Sequence, residues 1–296
     1  MQAKLAIKRV GFSLAAAIGP CLSNQRLRQV LCDRVVPLVL DDAVCERRPV
    51  PRKQRRSKVS VLCDPHDSAQ RASFFCGVAR DEELESFLLR ELHPGDSLID
   101  VGMRGGHVAL PAAKLVAPVG KVVAFERRTS LVQGVRALAS EQGLDTLRVH
   151  ACALDDTEGE LFVASEINPR RRCTVRVGDE VLRKQALPGR VGLKIDAEAF
   201  ELSVLRGLRE TLRDRVDYAL FELVPYQLGV PGLQALFSLL EDMGFEARAL
   251  ERDGTCERRI GPLEVLGPMH VAFWRMGPRG QVQRFRPVTY RPIVAS

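Results

Sequence analysis

Carboxylates stand at or just after four short apolar runs: Asp100 in Ser97-Leu-Ile-Asp-Val101, Glu126 after Lys121-Val-Val-Ala-Phe125, Asp196 and Glu198 after Val191-Gly-Leu-Lys-Ile195, and Glu222 after Tyr218-Ala-Leu-Phe221. Apolar runs of this length read as strands buried on both faces. An acid at the end of such a strand can hold both hydroxyls of an adenosine ribose. Glu126 is placed for that, about 20 residues beyond a glycine turn. The turn itself reads Gly102-Met-Arg-Gly-Gly106, which is GxxGG and not GxGxxG. No GKS or GKT follows it, so a Walker phosphate loop is excluded. A nicotinamide cofactor and S-adenosylmethionine both satisfy the logic of a glycine turn followed by an acid. Asp196 and Glu198 would face the same crevice, and if a group is transferred there to a hydroxyl they are the candidate general bases. His107 is a third candidate, though a surface histidine at a helix start is the simpler reading.

These acids need strands and helices in alternation to bring them to one edge. Asp81, Glu82 and Glu83 suit the first turn of a helix. Leu84, Phe87, Leu88 and Leu92 continue it at helical spacing, and Pro94-Gly95 stops it. A helix over about 106–117 follows the glycine turn. Thr129 is expected to cap a helix carrying Leu131, Val135 and Leu138. Leu147–His150 reads as a third strand and Glu160–Ala164 as an additional hairpin strand. Leu202, Leu205, Leu208 and Leu212 mark the helix after Asp196. Leu233, Leu236, Phe237, Leu240 and Met243 outline another, closed by Gly244. Phe245–Leu250 and His270–Trp274 complete the sheet, with Trp274 read as core. Such alternation implies a mostly parallel sheet covered on both faces. Its ligand lies beyond the carboxyl ends of the strands, at the topological switch point.

The chain has 296 residues, 46% of them apolar, enough for one large α/β domain with an appendage. No stretch approaches the roughly 20 apolar residues of a transmembrane helix. The net charge is +7, and the run Arg47–Lys58 alone holds seven basic residues and no acid, so the remainder is formally neutral. That run reads as a solvated linker. The alternative is electrostatic contact with nucleic acid, an anionic membrane surface or an acidic partner. No aromatic residue interleaves it, so base stacking has no support.

The expected organisation is an N-terminal helical extension over 1–46, a basic linker and connection over 47–80, the α/β domain over 81–276 and a basic tail over 277–296. Lys4, Lys8 and Arg9 precede the short apolar run Val10–Gly19, as in a secretory signal. Gly11 and Ser13 break that run and Pro20 interrupts a cleavage site, which favours a helix. The eight cysteines show no CxxC or metal-like cluster. They read as free buried thiols of a cytoplasmic protein, with a disulfide framework among the first five as the alternative.

The segments Leu98–Leu110, Val122–Glu126 and Val191–Leu212 carry a resemblance. The third is the most distinctive, with Ile195-Asp-Ala-Glu-Ala-Phe-Glu201 followed by Val204-Leu-Arg-Gly207. Together with Phe221-Glu222, the block from about Leu84 to Leu223 resembles the FkbM-type methyltransferase family. The resemblance implies a class I methyltransferase-like fold, α/β and doubly wound, with a mostly parallel seven-stranded sheet. It implies an S-adenosylmethionine-dependent enzyme that O-methylates a hydroxyl on a small metabolite or sugar. The cofactor residues it implies are Asp100, Gly102, Arg104, Gly106, Glu126, Ala153 and Asp196. Asp100 and Gly102 would approach the methionine part, Glu126 the ribose and Cys152–Asp155 the adenine. Asp196 would sit near the sulfonium and the acceptor, and Glu83 matches a family acid.

Three positions depart from the family pattern. Arg104 stands where G-A-N-x-G has a small amide, Ala199 where I-D-V-E-G has its glycine, and Arg127-Arg128 where a proline-containing turn is usual. No metal site is required by this pattern. Two alternatives stand beside the small-molecule reading: a catalytically silent binding or scaffold protein on the same fold, and a methyltransferase acting on nucleic acid or protein. The second lacks an N-P-P-Y/F-like motif after the strand that ends at Asp196.

Overall fold

A sheet whose strands are apolar on both faces must be covered by helices on each side. The computed structural model describes residues 2–40, 45, 49–79, 81–163 and 171–277. The chain opens with α1 (Gln2–Ile18), α2 (Gln25–Val30) and α3 (Val36–Val39). A hairpin of β1 (Val50–Lys53) and β2 (Ser60–Cys63) leads to α4 (Arg71–Cys76). From α5 (Glu82–Glu91) the chain alternates through β3 (Ser97–Val101), α6 (Ala109–Val116), β4 (Lys121–Phe125), α7 (Thr129–Glu141) and β5 (Leu147–His150). A small sheet follows, in which β6 (Ala153–Asp155) and β7 (Gly159–Val163) flank β8 (Arg171–Val177). The alternation resumes with α8 (Gly178–Leu182), β9 (Val191–Ile195), α9 (Glu201–Gly207), α10 (Arg209–Asp214) and β10 (Tyr218–Leu223). It closes with α11 (Pro225–Asp242), β11 (Phe245–Ala249) and β12 (Met269–Arg275).

The main sheet has seven strands in the order β11-β12-β10-β9-β3-β4-β5. β12 runs antiparallel to both its neighbours, and every other adjacent pair is parallel. This is the doubly wound, mostly parallel architecture expected of a class I methyltransferase-like chain. The two-residue period of the strands separates two cores. Leu98, Val122, Ala124, Leu220 and Trp274 face one, and Ile99, Val123, Phe125, Phe221 and Phe273 face the other. Trp274 is core, its ring 5.1 Å from Tyr218 and 5.8 Å from Phe87 between centroids. Gly192 on β9 leaves the space that the Tyr218 ring fills.

Several expectations need correction. Residues 50–63 are a hairpin and not a solvated linker; Arg47, Arg48 and the tail over 278–296 lie outside the described residues. The hairpin is held because Val59, Val61, Leu62 and Cys63 are buried in the core that also holds Leu98, Leu110 and Val122. Its backbone is satisfied as well. Leu62 N–H donates to Gly105 O at 2.9 Å, and the Gln142 side chain accepts from Ser60 N–H at 2.7 Å and donates to Ser60 O at 3.0 Å. A Cβ at Gly105 would stand 2.1 Å from Leu62 O, so that glycine admits the hairpin and not a ligand. Thr129 is the first residue of α7 and makes no cap; Arg128 precedes the helix in extended backbone without a side-chain cap. The helix expected from 106 begins at Ala109, because the glycine turn runs on through His107. The helix after Asp196 breaks at Leu208 into α9 and α10, where Gly207 packs against the Asp155 carbonyl. α11 begins at Pro225 and kinks at Gly229, where φ is +68°. Glu160–Val163 lie within β7, and Ala164 is outside the described residues.

Candidate cofactor cleft at the carboxyl edge

The strand order reverses between β3 and β9, and a crevice opens there beyond the carboxyl ends of the strands. The two chain segments leaving these strands nearly touch. Gly102 has φ +78°, and a Cβ on it would stand 2.0 Å from Asp196 O. The missing side chain at Gly102 therefore serves backbone convergence. Beside it lies an open cleft. Its apolar wall is Val101, Phe125, Leu154, Leu161, Phe200 and Val204. Cys152 adds to that wall, since burial pushes its thiol up to about 11 and keeps it neutral. The polar lining holds four carboxylates, Glu126, Asp155, Asp196 and Glu198, against three guanidiniums, Arg104, Arg127 and Arg128, for one net negative charge.

Glu126 is 4% exposed at the end of β4. Its Oε2 accepts from Arg104 N–H at 2.8 Å. Its Oε1 accepts from Arg128 N–H at 2.8 Å and from Arg128 Nε at 3.2 Å. A carboxylate offers about four lone-pair directions, so these three donors leave it capacity for a ligand hydroxyl.

Arg104 crosses the cleft floor. Its Nε and Nη2 bind the two oxygens of Asp196 at 2.9 and 3.0 Å, and Nη2 is also 3.4 Å from Glu198 Oε1. Burial works against the Arg104 charge, but Asp196 first and then Glu198 and Glu222 outweigh it and raise the pKa. Arg127 Nη2 holds the other Glu198 oxygen at 2.5 Å. The loop carrying these acids takes left-handed backbone at Glu198 (φ +52°) and Ala199 (φ +79°). Buried Glu201 braces it, its Oε1 accepting from Ala197 N–H at 3.1 Å and from Ala199 N–H at 3.3 Å.

The structure brings Gly102, Arg104, Glu126, Ala153, Asp196 and Glu198 together around one cleft. It does not bring Asp100, Gly106 or His107 to it. Asp100 is fully buried, and its Oδ1 pairs with Lys194 Nζ at 3.2 Å across the β3–β9 register. Burial raises the Asp100 pKa, with Lys194 opposing. Gly106 packs against Leu110 and Val135, where a Cβ would collide. His107 is absent from the lining.

Lys194 escaped the sequence reading as a site residue. Its Nζ also donates to Gly102 O at 3.1 Å and stands 3.9 Å from Asp196, so it anchors both loops. A lysine inside an otherwise continuous apolar strand is the signal that would have singled it out, since a buried lysine needs a partner. Glu83, by contrast, binds His270 Nδ1 at 2.9 Å, on the far side of β10 from β9.

No protein-family model matches this sequence, and no curated protein matches it. Among solved structures, the chain is similar to the methyltransferase FkbM of Methylobacillus flagellatus KT, at 14% identity and a TM-score of 0.44. That match covers 92% of this chain and 60% of the other, so this chain spans about 60% of that protein's length. It is similar also to the O-methyltransferase TomG of Streptomyces achromogenes (15% identity, 68% of this chain, 82% of that one, TM-score 0.43). A third is a putative rRNA-methylase of Clostridium thermocellum (10% identity, 67% of this chain, 96% of that one, TM-score 0.42).

Proposed function

We propose that the chain is an S-adenosylmethionine-dependent methyltransferase that methylates a hydroxyl on a small metabolite or sugar. The observation that carries this reading is Glu126, a buried carboxylate at the end of β4 inside a net-negative cleft with an apolar wall. Such a lining suits a ligand with a ribose, a flat base and a net positive charge. S-adenosylmethionine would supply a methyl group already activated by its sulfonium. Glu126 would accept from the ribose hydroxyls, and Ala153 with Leu154 would flank the base. Asp196 and Glu198 face the part of the cleft beside Arg104, where an acceptor hydroxyl would lose its proton. Both are bound by guanidiniums, and Arg104 takes one lone pair on each Asp196 oxygen, which leaves the others for an acceptor hydroxyl. Alignment then matters more than base strength, as holding reactants in line is the larger share of catalysis for such a displacement.

The Arg104–Asp196 clamp favours a second reading, a silent fold in which the guanidinium fills the place of the ligand. Calorimetric titration with S-adenosylmethionine and S-adenosylhomocysteine separates the two. Micromolar binding by the wild type, weakened about tenfold or more in Glu126→Ala, is expected if the cleft holds the cofactor. Absence of binding in the wild type with binding gained in Arg104→Asn would establish the silent fold instead.

A further inference from the structure

α1 is apolar around most of its circumference, which is the pattern of a helix covered on more than one side. One face packs inward. The Phe12 ring stands 5.4 and 6.0 Å from Phe75 and Phe74 of α4, Ala15 is buried, and Gly11 lies against Val39 of α3. The opposite face carries Ile7, Val10, Leu14 and Ile18, which are 70, 69, 57 and 42% exposed. Spacings of three and four residues stack these side chains along a single stripe. Single exposed apolar residues need no explanation, but a row on one helix marks an interaction surface.

The charge around the stripe is mostly basic, although Arg28 is paired with Glu82 at 3.2 Å. Residues 1–40 contain six lysines and arginines and the single acid Asp33. Lys4 and Arg9 are exposed on α1 itself. The β1–β2 hairpin, which packs on α4 and reaches the loop after α1, is also basic. Arg52 stacks on the Phe74 ring at 4.0 Å, and Arg55 Nη1 donates to Leu22 O, just beyond α1, at 3.0 Å. Lys53, Arg55 and Lys58 are exposed on it, as is Arg56, which stands 4.0 Å from Glu85. Among the described residues no helix is long and apolar enough to cross a membrane. A short helix with an apolar stripe flanked by basic residues lies instead in the interface plane of a bilayer. A two-fold contact between copies would set basic surface against basic surface, which disfavours self-association.

We propose that α1 docks on an anionic bilayer surface, with Ile7, Val10, Leu14 and Ile18 at the headgroup–acyl boundary and the basic N-terminal layer against lipid phosphates. This surface is separate from the cleft and does not depend on what the cleft binds.

Flotation of the full chain with phosphatidylcholine–phosphatidylglycerol vesicles (about 2:1) and with phosphatidylcholine alone tests it. The chain should float with the anionic vesicles, bind neutral ones about tenfold less, and release as salt rises. Val10→Ser with Leu14→Ser should weaken binding about tenfold or more. Because both side chains are exposed, thermal melting should not change. A chain that stays unbound with anionic vesicles overturns the proposal, as does equal flotation after both substitutions. Light scattering that shows a dimer dissociated by the same two substitutions also overturns it, and would make the stripe a contact between copies of this chain.

Discussion

Ala199 holds φ +79°, a region that an L side chain enters at a cost of about 1–2 kcal/mol. Two backbone N–H groups bonded to Glu201 keep the loop in that shape, so the strain is borne by the fold. Ala199→Gly should therefore raise stability by about 1 kcal/mol, seen in urea unfolding as a higher midpoint with an unchanged slope. A lower midpoint would mean that the Ala199 side chain contributes packing worth more than the strain. Arg104 is similar, with φ +52°. Asparagine tolerates that conformation better than arginine, so Arg104→Asn relieves backbone strain while it removes the clamp. Much of this loop was legible in the sequence: Ile195–Glu201 stands out because an apolar strand runs straight into acids. Its bracing was not. Glu201 reads as one more acid until its bonds to the loop N–H groups are seen, and Lys194 reads as a blemish in a strand until Asp100, far away in sequence, is set beside it.

At the level of elements, α5 is tied to β12 by Glu83 and His270, residues 187 positions apart. Burial works against the His270 charge, but Glu83, aided by Asp81 and Glu222, outweighs it and raises the pKa above the usual 6.5. The bond from His270 in turn draws the Glu83 pKa below its usual 4.5, against burial. The His270 contribution is complete below pH 6.5 and is lost as pH rises through its raised folded value. The Glu83 contribution is complete above pH 4.5 and is lost as pH falls through its lowered folded value. The tie thus stabilises most between pH 4.5 and 6.5. The stability difference between wild type and Glu83→Gln, followed by urea unfolding, should shrink as pH climbs past that window. A difference independent of pH would count against the tie.

Elements differ in how openly they show themselves. β3, β9 and β10 were plain because strands buried on both faces are nearly continuous apolar runs. β1 was hidden, because Val50-Pro-Arg-Lys53 has the composition of a linker. Its pairing with Ser60–Cys63 makes it a strand, and the packing of β2 on Gly105 and Gln142 fixes the hairpin.

The molecule as a whole has two cores, one on each face of a common sheet, and the N-terminal layer belongs to the first. Ala15, Val36, Val61 and Phe75 share that core with Leu98, Leu110 and Val122. Calorimetry should accordingly show one cooperative transition, and a chain lacking residues 1–80 should fail to fold to a soluble form. A truncated chain that melts like the full one would show that the layer is dispensable. The charge of the molecule is likewise lopsided, since the run Arg47–Lys58 accounts for the whole net +7.

The bond between Ser60 and Gln142 also bears on the order of synthesis. The glutamine that receives β2 is made 82 residues after it. At about 5–20 residues per second, the ribosome delivers that partner roughly 4–16 s later. Through that interval the Ser60 backbone lacks the side chain that pairs with it, while β3, α6 and β4 are made within it. The hairpin is thus made well before the elements that cover it, and it is complete only once they have followed.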